Sequence, residues 1–111
     1  MPDARAERIA ANEARFREIN ERVERDLEPH RDGPDELLPF VCECGRRRCA
    51  DAIPLTVAEY ERVRADATRF AVVPGHQIES VEDVVEGGDR YFVVRKHPVT
   101  HDQVRRSDPR S

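Results

Sequence analysis

Tryptophan is absent from this 111-residue chain, and only 5% of its residues are aromatic. A core with so few large rings is small. Lysine is nearly absent as well, Lys96 being the only one, so the basic residues are arginines, which suit salt-bridged helix surfaces. No apolar run approaches the roughly 18–20 residues that span a bilayer. The first residues, MPDARAERIAANEARF, lack the apolar stretch of a signal peptide. A cytoplasmic, reducing setting and no membrane partner are therefore expected. The sequence also has no Gly-rich phosphate loop, no nucleophile elbow and no HExxH. Glu43, Asp51 and the pair Glu82/Asp83 read as solvated carboxylates, so the expectation is a protein that is not an enzyme. The net charge of −4 argues against coating nucleic acid through bulk charge.

What is present begins with a long helical pattern over residues 3–28. Ile9, Phe16 and Val23 recur every seven residues, and Ile19 and Leu27 widen the stripe. Glu13/Arg17, Glu18/Arg22 and Glu21/Arg25 place the acid four residues before the base, the better orientation for such pairs. So thinly apolar a helix is marginal alone. It must lie on the domain that follows, pair with a second copy as a homodimer, or dock on a partner. Asn12 and Asp26 interrupt the heptad, which puts packing on its own domain first. Ile9, Phe16, Ile19 and Val23 are the candidate partner-contact face.

Pro29 and Gly33-Pro34 mark residues 29–35 as a linker. From there to residue 97 the pattern is strands and turns around one short helix. LLPFVCEC and ADAIPL read as strands, and extended geometry puts Phe40, Cys42 and Cys44 on one face. Thr56 with Glu59 forms a capping box for a helix lined by Val57, Tyr60, Val63 and Ala67. RFAVVPGH is a third strand, and VEDVVEGGDRYFVVRK is a hairpin turning at GGD. Residues 98–111, charged and aperiodic, are expected to be disordered. The fold class is α+β: a small, mainly antiparallel sheet with one short helix, preceded by the long helix. A compact part of about 60 residues often needs a metal or a similar staple.

All three cysteines lie in FVCECGRRRC, spaced C-x-C-x4-C. Clustered thiols in a reducing compartment are ligands or redox groups sooner than a disulfide framework. Gly45 frees the backbone to turn back towards Cys49. Three thiolates leave a tetrahedral site one ligand short. Of the four histidines, His76 is placed at a strand end by a Pro-Gly turn, with His97 the next candidate. The expected centre is a Cys3His structural Zn2+ site of Cys42, Cys44, Cys49 and His76. An iron–sulfur centre usually has four cysteines.

The segment FVCECGRRRCADAIPLTVAEYERVRADATRFAVVPGH, preceded by NEARFREINERVE and followed by DRYFVVRK, resembles a family of short, uncharacterised actinobacterial proteins. The family joins an NExxFRExNE helix to an FxCEC segment, an IxLTxxEYExVR helix and a PGH turn. The resemblance implies the same four ligand positions and no particular activity. The function expected is a zinc-binding protein-interaction or regulatory module. One alternative is a nucleic-acid-binding zinc protein gripping phosphate through Arg46, Arg47 and Arg48, with Arg62, Arg64 and Arg69 nearby. Another is a redox-sensitive zinc–thiolate switch.

Overall fold

Alternation sets the first sheet. In the computed structural model, which describes residues 4–46 and 48–110, β1 (Leu38–Val41) pairs antiparallel with β2 (Ala52–Leu55). Leu38 faces Leu55 and Phe40 faces Ile53 across the ladder, all four buried. Pro39 and Pro54 take the outward positions of the same alternation. Thr56 then caps α2 (Val57–Arg64). Its hydroxyl accepts from the Glu59 N–H at 3.1 Å, and the Glu59 carboxylate accepts from the Thr56 N–H at 2.9 Å. Val57, Tyr60 and Val63 turn inward, and Tyr60 stacks on Phe40 with centroids 4.4 Å apart. Ala67 falls beyond the helix end and is half-buried.

β3 (Arg69–Val72), β4 (Glu82–Glu86) and β5 (Phe92–Lys96) make an antiparallel sheet in the order β3-β5-β4, with the hairpin at Gly87-Gly88-Asp89. The expected α+β class stands. One core runs through both sheets and α2, from Phe40 and Ile53 to Phe70, Val72 and Val94. Among the described residues no helix is long and apolar enough to cross a membrane.

The long helix, α1 (Ala4–Leu27), lies on this domain, but not by the stripe that hydrophobicity marks. Position 3, its expected start, is outside the described residues. The buried face is Ala6, Ile9, Ala10, Glu13, Arg17 and Asn20. Phe16 and Val23 are only half-buried at its border, while Ile19 is 41% and Leu27 37% exposed. Polar side chains dock here because each meets a specific partner, as burial demands. Glu13 reaches Lys96 Nζ at 2.8 Å. Arg17 stands over the Phe70 ring, 3.8 Å from its centroid, and donates to the Arg69 carbonyl at 2.5 Å. Asn20 accepts from the Val41 N–H at 2.8 Å and donates to the Val41 carbonyl at 2.9 Å, pairing with the strand as another strand would. Among the described residues the three expected Glu–Arg pairs along the helix do not form. Tertiary partners take Glu13 and Glu21 instead: Lys96 for the first, Arg64 and Arg110 for the second.

Residues 98–110 correct the expectation of a disordered end. A 3-10 turn (Pro98–Thr100) leads into α3 (His101–Arg106). Val104 is buried, and Gln103 donates to the Glu7 carbonyl of α1 at 2.9 Å. Asp108 pairs with buried Arg64, and Arg110 reaches Glu21 and Glu61, each at 2.5 Å. One apolar anchor and a set of ion pairs hold this segment, so hydrophobic periodicity carries almost no trace of it. Ser111 is outside the described residues.

Candidate metal centre

The run that begins as β1 leaves its own sheet at the first cysteine. The Cys42 N–H still donates to the Asp51 carbonyl at 2.8 Å, extending the β1–β2 ladder by one step. The next N–H, of Glu43, donates to the Ala71 carbonyl of β3 at 2.8 Å. The chain thus crosses between the sheets with Cys42 and Cys44 on one face, both fully buried. Gly45, at φ +75°, turns it. The Cys49 N–H closes on the Arg46 carbonyl at 3.1 Å, which brings the third sulfur back. His76 arrives from the other side, after β3, behind Gly75 at φ +94°. Both glycines occupy backbone conformations that side chains resist.

One ligand atom from each of Cys42, Cys44, Cys49 and His76 lies within 4.8 Å of the others. His76 Nδ1 is 3.6 Å from Cys42 Sγ and 3.5 Å from Cys49 Sγ. A tetrahedral centre with zinc–sulfur and zinc–nitrogen bonds of about 2.3 and 2.0 Å separates N from S by about 3.5 Å. The spacing of His76 from Cys42 and from Cys49 therefore already suits such an ion. The Val73 N–H donates to Cys42 Sγ at 3.2 Å, and the backbone at Arg46 and Asp51 favours the ionised forms of Cys44 and Cys49. Backbone dipoles so placed suit thiolates more than thiols. Cys42 and Cys44 titrate together. Donation from the Cys42 thiol draws Cys44 down to about 5 and pushes Cys42 up. Burial pushes Cys49 up. A cation in their midst would displace the remaining thiol protons. His76 Nε2, on the far side of the ring, lies 3.7 Å from Asp51 Oδ2, a carboxylate placed to orient the imidazole.

The other histidines stay away. His97 Nε2 is 3.2 Å from Asp83, His101 Nε2 donates to the Lys96 carbonyl at 2.7 Å, and His30 is exposed in the 3-10 turn Glu28–His30.

Glu43, between two cysteines, is not the solvated carboxylate its type suggests. It is fully buried. Its Oε1 accepts from the Ala71 N–H at 3.0 Å and its Oε2 from Asn20 Nδ2 at 2.8 Å. Burial raises it above the usual carboxylate range, against the pull of the Arg17 guanidinium. The outer edge of β3 is thereby closed group by group. Arg17 takes the carbonyl of residue 69, Glu43 takes both groups of residue 71, and Cys42 Sγ takes the N–H of residue 73. Alternation places Glu43 opposite the cysteines; only knowledge that α1 covers that face tells buried from solvated. Glu82 is likewise buried, against Lys96 at 3.3 Å and the Ile78 N–H at 3.0 Å, while its neighbour Asp83 is at the surface as expected.

α1 braces the cysteine loop directly. Asn12 donates to the Gly45 carbonyl at 3.1 Å, and a Cβ on Gly45 would stand 2.8 Å from Glu13 Cγ and 2.9 Å from the Ile9 carbonyl. Gly45→Ala combines a left-handed backbone with a clash against helix backbone. We expect it to lower stability by at least about 2 kcal/mol in denaturant titration. An unchanged midpoint would mean that α1 does not seat on this loop.

Among the described residues Arg46 and Arg48 are exposed without ion pairs, and Arg47 is outside them. The wider basic face expected around them does not form. Arg62 is taken by Glu86 at 2.7 Å, Arg64 is buried beside Asp108, and Arg69 lies 3.9 Å from Asp66. No protein-family model, curated protein or solved structure matches the chain.

Proposed function

We propose that this protein is a small zinc-binding module that holds another macromolecule, with Zn2+ as a structural staple and no catalytic role. The supporting observation is the four-residue cluster: three sulfurs and one imidazole nitrogen within 4.8 Å of one another, with Cys42 Sγ also meeting the Val73 N–H. Four such ligands fill the coordination of zinc and leave no position for water or substrate. Soft thiolates with one imidazole favour zinc, and iron–sulfur clusters usually take four cysteines. The resemblance to the actinobacterial family, and a cytoplasmic setting that keeps the thiols reduced, belong to the same reading. Native mass spectrometry of the full chain is expected to show one zinc per protomer and a solution without visible absorbance. A sulfide-containing, coloured species would replace zinc with an iron–sulfur cluster. A folded, metal-free protein would remove the staple altogether.

A further inference from the structure

A groove of about 760 Å³ runs between α1 and the cysteine loop. Its apolar floor includes Ile9, Phe16 and Ile19, and its rim carries Arg8, Arg15 and Arg48. No acidic residue lines it, although the chain as a whole carries −4. Arg5 also lines it, near the start of α1, with its guanidinium donating to Ser80 Oγ at 3.2 Å. Among the described residues Arg8, Arg15 and Arg48 have no ion-pair partner, whereas Arg62, Arg64, Arg90 and Arg110 are each held by a carboxylate. The helix sorts its charges to this end. Arg8 and Arg15 are seven residues apart and so share a side, and neither Glu7 nor Glu18 lines the groove. Asp51, the nearest acid along the cysteine loop, turns towards His76. Cys49 itself lines the groove, so the proposed staple fixes one of its walls.

We propose that this groove docks an acidic, amphipathic peptide segment of a partner protein, laying apolar side chains on Phe16 and Ile19 and carboxylates on the arginine rim. The inference rests on the binding-module reading and names the chemistry of its partner. An apolar floor under a one-signed rim is complementary to a segment that carries both features. Nucleic acid fits less well. Phe16 is the single aromatic in the floor, and aliphatic Ile9 and Ile19 offer bases no stacking surface. From Arg5 to Ile19 the helix extends about 21 Å, room for a partner helix of about four turns.

The test uses the full-length protein with its zinc content measured on the same sample. The probe is a fluorescent 14-residue peptide of roughly that length, with leucines at three- and four-residue spacing and glutamates elsewhere. Saturable binding is expected, weakened about tenfold or more by high salt and by the surface pair Arg8→Glu/Arg15→Glu. Ile19→Asp should weaken it similarly, leaving the circular dichroism of both variants unchanged. No binding, or equal binding of a shuffled peptide of the same composition, overturns the proposal. Equal or tighter binding of single-stranded oligo-dT overturns it in favour of nucleic acid. A dimer mass that Ile19→Asp converts to monomer gives the groove to a second copy instead. Loaded protein that ignores the peptide sinks this inference alone; metal-free protein that binds it sinks only the zinc staple.

Discussion

The Cys49→Ser protein is expected to lose its metal on purification and to unfold at a temperature lower by roughly 15–30 °C, the shift produced by about 4 kcal/mol in a domain of this size. The estimate is conservative. Structural zinc contributes about 10–16 kcal/mol of apparent binding free energy at neutral pH, comparable to the whole stability of an ordinary domain, about 5–15 kcal/mol. Part of the loss is offset because Cys42 and Cys44 are core residues whatever they hold, fully buried beside Phe40 and Val72. That burial is also why Cys49 is the diagnostic position. A hydroxyl at 42 or 44 would enter a dry core and destabilise it with or without a metal. Cys49 is only half-buried, so serine there removes a ligand and little else. A strong chelator should bring wild-type protein down to the same melting temperature and should not lower the variant further. The two losses must be one loss, since both remove the same interaction. A Cys49→Ser protein that melts with wild type in the presence of zinc would show that the cluster packs without stapling.

The centre itself was legible in the sequence because its determinants are local. Strand alternation puts Phe40, Cys42 and Cys44 on one face, Gly45 permits the turn to Cys49, and Pro74-Gly75 delivers His76; the structure gathers these four ligands. The capping box of α2 and the Gly87-Gly88-Asp89 hairpin were readable for the same reason. Where the structure departs from expectation, the interaction is long-range and polar. The docking face of α1 is written in Ala10, Glu13, Arg17 and Asn20, which look like a solvent face until Lys96, Phe70 and Val41 arrive from elsewhere in the chain. Glu43 is misjudged on the same grounds, since its partners are Asn20 and Ala71. The C-terminal segment depends on Arg64, Asp108 and Arg110, whose charges mark solubility in a sequence and anchoring in the fold. In a chain with few aromatics, charged and amide side chains do structural work that apolar ones do elsewhere.

Lys96, the only lysine, holds the second large effect. Its Nζ sits in a dry pocket 2.8 Å from Glu13 and 3.3 Å from Glu82, linking α1, β4 and β5, with all three side chains buried. Two carboxylates and one ammonium would leave a net buried charge. Burial, joined by the neighbouring Glu82, pushes Glu13 well above the usual carboxylate range against the attraction of Lys96. A proton held on Glu13 would remove that surplus buried charge. Removing the ammonium strands a buried carboxylate, so Lys96→Met is expected to cost about 3–5 kcal/mol in denaturant titration. Glu13→Gln should cost far less, because a neutral amide can still accept from Lys96 and leaves no surplus buried charge. The pH dependence separates them. A folded-state pKa above the unfolded one means that the native state holds the extra proton. Glu13 therefore stabilises the fold fully below its unfolded value near 4.5 and loses that contribution as pH rises through its raised folded pKa. Wild-type stability should carry this downward slope above pH 4.5, and Glu13→Gln should flatten it. Parallel stability–pH curves for the two proteins would show that Glu13 is ionised in the fold and that the charge balance of the pocket lies elsewhere.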